Sequence, residues 1–172
     1  MFTNPEIVID DLPNAEDLDW QQLHPDFVKV IRLQISIVLA IIAVAFAVPL
    51  FIPPVPGFVG VVLYVPLILV GGLIFAWSSL SVPRRGYVLR DKDLLFRKGL
   101  LWRSVTAVPF NRVQHVETSN TPFDRRYGLA TLQLFTAGGS GADLKIDGLG
   151  DDIAERLRAT ILEKAGASIE NA

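Results

Sequence analysis

The chain has 172 residues, of which 51% are hydrophobic and 20% are charged, with a formal net charge of −2 and a mean hydropathy of +0.40. It has no cysteine, which excludes disulfides, thiol nucleophiles and thiolate metal sites. Between Arg32 and Arg84 the chain carries no Asp, Glu, Lys, Arg or His. Because a water-soluble fold would have to expose part of so long an uncharged stretch, the composition predicts a membrane protein.

An acidic segment, residues 1–23, precedes the uncharged stretch. Residues 1–32 contain 7 Asp and Glu against 2 Lys and Arg. This segment does not resemble a cleaved signal peptide, because it is acidic and polar rather than short and basic, and a second apolar segment follows.

Residues 24–83 are predicted to form a two-helix transmembrane hairpin. The apolar segments 33–52 and 58–80 are about 20 and 23 residues long, or ~30 and ~34 Å at helical rise, so each is long enough to cross a bilayer. Residues that cannot continue a helix separate them. These are Pro49, Pro53, Pro54, Pro56 and Gly57.

The flanking cations predict the orientation of the hairpin. Lys29 and Arg32 precede the first span, Arg84, Arg85 and Arg90 follow the second, and the bend between the spans has no cation. Because positive charge favours the cytoplasmic side, we expect a multi-pass protein with both termini in the cytoplasm.

Residues 84–165 are predicted to form a small β domain, with 166–172 as a tail. From Arg84 to Lys145 there are 11 Lys and Arg against 5 Asp and Glu, so this part is basic. Short apolar runs separated by turn residues predict strands at 87–90, 94–97, 100–108, 112–118, 129–136 and 143–147. Ile153, Leu157 and Ile161 recur every four residues, which predicts a C-terminal helix covering the sheet.

Several short motifs in this part, in their order behind two spans, resemble the bacterial pleckstrin-homology-like (PH-like) domain of YdbS-like membrane proteins. They are Tyr87-Val-Leu-Arg, Arg97-Lys-Gly99, Val108-Pro-Phe-Asn-Arg-Val-Gln114, Arg126-Tyr-Gly-Leu129 and Leu134-Phe-Thr-Ala-Gly138, with Leu23-His-Pro25 ahead of the first span. The resemblance implies an α+β protein of the bacterial inner membrane, in which a small PH-like β-barrel capped by a C-terminal helix follows the hairpin. It also implies no established enzyme activity, and often a larger partner with several copies of the domain.

Basic residues close to the second span are the main candidate site, because each cation near an anionic leaflet contributes ~1 kcal/mol of attraction. They would bind lipid headgroups or a partner; the alternative is that Arg84 and Arg85 only set topology and the others are solvated strand ends. The candidates are Arg84, Arg85, Arg90, Lys92, Arg97, Lys98 and Arg103.

A second polar group lies further along the domain and is a possible partner surface. It comprises Arg112, Gln114, Arg125 and Arg126. The alternative is structural, with Arg112 and Gln114 hydrogen-bonding the irregular connection at residues 121–128.

The sequence gives no reason to expect a catalytic residue, a cofactor or a metal. The two histidines, His24 and His115, lack ligand spacing, and no serine has a paired histidine. A domain held at a bilayer with few aromatics is a poor nucleic-acid binder. Trp77 is predicted to be an interface anchor, and Trp102 a packing residue.

The sequence therefore predicts a non-enzymatic membrane protein whose PH-like domain is a binding or assembly module at the cytoplasmic surface. Its expected partners are anionic lipid or protein. The alternative is a structural subunit that assembles with copies of itself or with a related multi-domain PH-like membrane protein.

Overall fold

The computed structural model describes residues 18–48, 56–137 and 141–170, with only the backbone given for 168–170. The acidic residues 1–17, most of the proline-rich bend and the glycine-rich loop 138–140 lie outside the described residues. The helices are α1 (Phe27–Ala47), α2 (Phe58–Ser81), α3 (Pro122–Arg126) and α4 (Asp151–Glu170). The strands are β1 (Gln21–Gln22), β2 (Gly86–Leu89), β3 (Asp93–Lys98), β4 (Ser104–Pro109), β5 (Val113–Ser119), β6 (Leu129–Thr136) and β7 (Leu144–Gly150).

The two long helices, α1 and α2, match the predicted spans in length and apolarity. Both are long and apolar enough to cross a membrane, and only 6% of the apolar window in each is buried. Large side chains such as Ile68 and Leu73 are 69% and 71% exposed. Helices of a water-soluble core would be mostly buried, so this exposure favours lipid as their surroundings.

Contacts between α1 and α2 hold the hairpin together. The Tyr64 hydroxyl donates a 2.7 Å hydrogen bond to the Ala43 carbonyl. Gly71 is buried against Leu39, whose side chain would lie 2.8 Å from a Cβ at that glycine. Near the domain, the Arg32 guanidinium donates a 2.5 Å hydrogen bond to the Ser79 hydroxyl.

The small residues Gly72 and Ala76, which stand four apart on α2, do not pack against α1. Both are exposed, and a Cβ on Gly72 would meet nothing within 4 Å. Close approach of the helices depends instead on the neighbouring Gly71.

The β strands form two antiparallel sheets, β1-β2-β3-β4 and β5-β6-β7. The fold is therefore α+β, with two apolar helices followed by two small sheets and a C-terminal helix. Among the described residues no ladder joins the two sheets, so the closed barrel that was expected is not confirmed.

One hydrophobic core holds the two sheets and α4 together. Its fully buried side chains include Leu94, Phe110, Leu132 and Ile146 from the strands. Ile161 of α4 is also fully buried, and Leu157 of the same helix is nearly so. Helix α4 therefore covers the second sheet, as the four-residue spacing of its apolar side chains predicted.

The residues just before α1 contribute to the same domain. Strand β1 pairs with β2, and Leu23 is 7% exposed. Phe27 and Val30, in the first turns of α1, belong to the domain core. Helix α1 therefore begins inside the domain, six residues before the predicted span, and residues 18–23 pack with the sheet.

Candidate functional site

The first sheet brings five predicted cations to the end of the sheet where α2 arrives, called here the α2 end. Helix α2 passes through a 3-10 turn, Val82–Arg84, directly into β2. Strand β3 returns to this end, and the loop of residues 99–103 connects it to β4 there. The cations at the α2 end are Arg84, Arg85, Arg97, Lys98 and Arg103.

Arg90 and Lys92, the other two predicted site residues, lie at the opposite end of the β2–β3 hairpin. Strand β2 is four residues long, which places them about 13 Å of extended chain from the α2 end. Arg90 also forms a two-pronged ion pair with Asp93, in which its Nε lies 2.6 Å from Oδ1. The structure therefore separates these two residues from the other five.

Three of the five cations line a cleft of about 480 Å³ on one face of the first sheet, called here the Trp20 cleft. Its lining residues are Trp20, Pro83, Arg84, Arg97, Gly99, Arg103 and Val105. Arg97 is placed here because side chains alternate along β3, which sends Phe96 and Lys98 to the other face. The cleft has the positive charge and the aromatic wall that suit an anionic group on an amphipathic molecule.

Arg97 is held in the Trp20 cleft by contact with Trp20. Its guanidinium carbon lies 4.4 Å from the centre of the Trp20 ring. Arg97 is paired with Gly86 in the sheet, and a Cβ at Gly86 would lie 3.4 Å from the Trp20 Cβ. The tighter contact of that Cβ, at 3.1 Å, would be with the Gln21 carbonyl oxygen, so the glycine leaves room mainly for the backbone of β1. The buried Nε of Arg97 has no hydrogen-bond partner among the described residues.

A second cleft, of about 430 Å³, opens on the other face and is called here the Trp102 cleft. Trp77 and Ser81 of α2 form one wall, and Leu101 and Trp102 of the 99–103 loop form another. Its cations are Arg85, Lys98 and Lys145. Helix α2 and the loop therefore lie side by side at the α2 end.

The 99–103 loop turns sharply at Gly99. This glycine has a φ of +106°, and a Cβ there would lie 1.8 Å from the Trp102 carbonyl oxygen. The turn projects two apolar side chains outward, Leu101 at 68% and Trp102 at 87% exposure. The prediction that Trp102 is a packing residue was therefore wrong, and β4 begins at Ser104 rather than at residue 100.

The five cations at the α2 end have no acidic partner among the described residues. No carboxylate lies within 4.0 Å of any of them in the part of the chain that the structure describes. Lys145, by contrast, pairs with Asp147 at 3.1 Å. Among the described residues, their charge is therefore not neutralised by a contacting carboxylate, although Asp147 also lines the Trp102 cleft.

The second predicted group is not assembled into one patch. Arg112 ends a 3-10 turn before β5 and Gln114 lies at the start of that strand, whereas Arg125 and Arg126 lie on α3 beyond its other end. The strand between them is seven residues long, or about 20 Å. All four side chains are exposed.

The connection at residues 121–128 is organised by its own side chains. Thr121 and Asp124 form a capping box, in which the Thr121 amide donates a 3.0 Å hydrogen bond to the Asp124 carboxylate. His115, beside Gln114, contacts Glu117 at 3.0 Å. Among the described residues, none of the hydrogen bonds that hold α3 comes from the side chain of Arg112 or Gln114.

Two residues of the clefts were not anticipated. Trp20 lies in the acidic segment, where no pattern tied it to the sheet, and only the pairing of β1 with β2 brings it to Arg97. Lys145 alternates with the buried Leu144 and Ile146 on β7. That alternation is a signal for an outward cation, but the neighbouring sheet is needed to place it in a cleft.

Titratable groups do not gather into a metal-binding arrangement within residues 18–48, 56–137 and 141–170, where no cluster of three or more His, Asp or Glu is present.

Burial raises the pKa of the Tyr87 hydroxyl above its usual range. A hydrogen bond from Lys164 lowers the pKa of Asp91, at the end of the sheet away from the clefts.

Comparisons with known proteins agree with this architecture. The family model described as "Bacterial PH domain" matches residues 28–165. The chain is 32% identical over 145 residues to the UPF0699 transmembrane protein YdbS of Bacillus subtilis (strain 168), covering 81% of this chain and 89% of that protein. No solved structure matches the chain. With two membrane-capable helices in front of a matching domain, the chain belongs to the bacterial PH domain family and is a YdbS-like transmembrane protein.

Proposed function

We propose that this protein is a non-enzymatic module that binds anionic lipid headgroups at the cytoplasmic surface of the bacterial inner membrane. The observation that carries the proposal is the set of five cations at the α2 end, none paired with a carboxylate among the described residues. Three of them surround one cleft together with Trp20. The module needs neither a cofactor nor a metal for this role.

The membrane hairpin gives these cations their ligand. If α1 and α2 cross the bilayer, the α2 end of the first sheet faces the leaflet that α2 has just left. Arg84 and Arg85 then stand at the headgroup level, with Arg97 and Arg103 beside them. Positive charge at both domain-side ends of the hairpin supports a cytoplasmic location for the domain and for both termini.

The mechanism is electrostatic binding of a phosphate that belongs to a lipid in the adjacent leaflet. A phosphate in the Trp20 cleft would accept hydrogen bonds from the guanidinium groups that line it. The ring of Trp20 holds the Arg97 guanidinium in one orientation. Binding a phosphate there therefore costs less side-chain entropy. No reaction follows from this arrangement.

Native mass spectrometry of the full chain in mild detergent tests the proposal. Phosphatidylglycerol and phosphatidylcholine are titrated into the wild type and into the triple variant R84A/R97A/R103A. At ~1 kcal/mol for each of the three cations, the triple variant should lose about a hundredfold in phosphatidylglycerol affinity. Binding of phosphatidylcholine should change much less.

A matched control removes the same charge elsewhere. The variant K92A/R125A/R126A also loses three cations, all of them exposed and none at the α2 end. It should keep its preference for phosphatidylglycerol. Equal losses in the two triple variants would show that net charge, rather than the cleft, attracts the lipid, and would contradict the proposal.

A second candidate function is that of a structural subunit, assembled with copies of itself or with a related multi-domain PH-like membrane protein. A specific observation favours it: an apolar groove of about 390 Å³ runs along the outside of the hairpin. Ala40, Ala43, Gly71 and Gly72 give the groove small walls that a helix of another chain could approach. The same native spectra separate the two functions, because a defined oligomer without lipid preference supports the subunit.

A further inference from the structure

We propose that the 99–103 loop is a membrane wedge, which inserts Leu101 and Trp102 into the interfacial layer of the leaflet facing the domain. The inference extends the proposed function, and it depends on that function only because both require α2 to cross the bilayer. It assigns a ligand, the acyl and glycerol layer of the membrane, to side chains that no contact within the domain explains.

The exposure of the loop is the first argument. Trp102 is 87% and Leu101 is 68% exposed, and both lie at the tip of a tight loop. An exposed Trp next to an exposed Leu is costly in water, whereas Trp is enriched where one side of its ring is apolar and the other wet.

The depth of the loop is the second argument. Leu101 and Trp102 share the Trp102 cleft with Trp77 and Ser81 of α2. Trp77 is four residues before the end of α2, or about 6 Å along the helix axis. A side chain that lines the same cleft as Trp77 lies at the depth of the last turn of a membrane helix, which is the interfacial region.

The charges around the tip are the third argument. Lys98 precedes the loop and Arg103 ends it, so cations flank the two apolar side chains. Lys98 is paired with Ser104 where the sheet closes beneath the loop. Apolar tips between cations are suited to an anionic leaflet, because the side chains insert while the charges stay with the phosphates.

The loop geometry is the fourth argument. The close approach of the Trp102 carbonyl to Gly99 leaves no room for a Cβ at that position. The tight turn that projects the tip therefore requires glycine at position 99.

Depth-dependent fluorescence quenching tests the wedge. The chain has no cysteine, so L101C carries a single environment-sensitive NBD label, and N111C, an exposed site at the other end of the sheet, is the matched control. Each full chain is reconstituted into vesicles of phosphatidylcholine alone and of phosphatidylcholine with phosphatidylglycerol. Spin labels are placed on a lipid at the headgroup or high on the acyl chain.

The label at position 101 should show blue-shifted emission and at least twofold stronger quenching by these lipids than the label at position 111. Aqueous emission without quenching at 101 would overturn the wedge. Blue-shifted emission without quenching would show that protein covers the tip, and equal quenching at both sites would show that the domain lies flat; either result overturns the wedge.

The lipid titration of the same L101C protein separates the two proposals. Quenching at position 101 in both vesicle types, without preference for phosphatidylglycerol, would retain the wedge and remove the headgroup proposal. The reverse pattern would retain headgroup binding alone. A second variant, L101S/W102S, should lower quenching of a label at V105C, and an unchanged signal there would overturn insertion of the tip.

Discussion

Phe27 of α1 lies directly over Gly148 of β7, so closely that a Cβ placed on Gly148 would be 2.2 Å from the ring. Gly148 has a φ of +77°, and its carbonyl accepts a 2.9 Å hydrogen bond from the His24 amide. These contacts fix the start of the first membrane-capable helix on the second sheet. The hairpin and the domain are thereby joined by packing as well as by the chain after α2.

Replacing Gly148 by alanine should destabilise this junction. The methyl group collides with the Phe27 ring and the backbone is left-handed, which together cost about 2 to 5 kcal/mol. We expect a clearly lower midpoint of thermal unfolding for G148A in detergent. G141A, at a glycine with open space and no positive φ, is the control and should unfold like the wild type.

A second substitution identifies the cause. In G148A/F27A the side-chain atoms that the new methyl group would meet are absent, so the two changes should be less than additive. Full additivity would show that Phe27 and Gly148 do not act on each other.

An ion pair at the opposite end of the sheet should make stability depend on acid. Lys164 of α4 donates a 2.5 Å hydrogen bond to the Asp91 carboxylate, which holds the pKa of Asp91 below its ordinary value of 3.8. Because the folded pKa is depressed, the contribution is present above pH 3.8 and is lost as the pH falls below it.

Thermal unfolding of D91N between pH 7 and pH 2.5 measures this effect. The variant should be slightly less stable than the wild type at pH 7, and the difference should shrink in acid. K164Q is the matched change on the other side of the pair, and it should remove the effect of D91N at neutral pH. A constant difference across the whole range would refute the pairing.

An arginine in the first span should oppose membrane insertion. Ile41 lies on the exposed face of α1, at 64% exposure, and an Arg at mid-bilayer costs about 2.5 to 3.5 kcal/mol. I41A is mild by comparison and serves as the control. We expect I41R to shift part of the protein into the alkaline-extractable fraction of membranes, and unchanged integration would contradict a spanning α1.

The hairpin was the most predictable part of the fold, because the absence of charge over some fifty residues is a local property. Helix α2 begins at Phe58 as predicted and ends one residue after the predicted span. Helix α1 begins earlier than its span because Phe27 and Val30 pack on the domain. The pattern of charges predicts where the apolar span begins. It does not predict that the helix starts earlier because its first residues pack in the core of the domain.

The strands were located well wherever alternation with turn residues marked them, as for β6. The stretch from Leu100 was the exception. Its apolar residues predicted a strand, yet Gly99 turns the chain and Leu101 and Trp102 point outward. Apolar sequence predicts burial from water, and it does not distinguish burial in protein from burial in lipid.

The cations of the candidate site could be read from the sequence one by one, but the surface that they form could not. Each cation was visible in the sequence, whereas its neighbours depend on strand register. Arg97 reaches the cleft because it pairs with Gly86 and Val105, and Arg90 is excluded because the hairpin carries it to the far end. Register is a long-range property that composition does not encode.

The topology of the hairpin tests the account most directly, and cysteine labelling in spheroplasts measures it. G57C lies at the bend, where added atoms meet nothing within 4 Å, and N111C lies in the domain. An impermeant maleimide should label G57C in intact spheroplasts and N111C only after the membrane is opened. If both positions were labelled from the same side, the basic end of the domain would not face the cytoplasmic leaflet, and the account would be wrong.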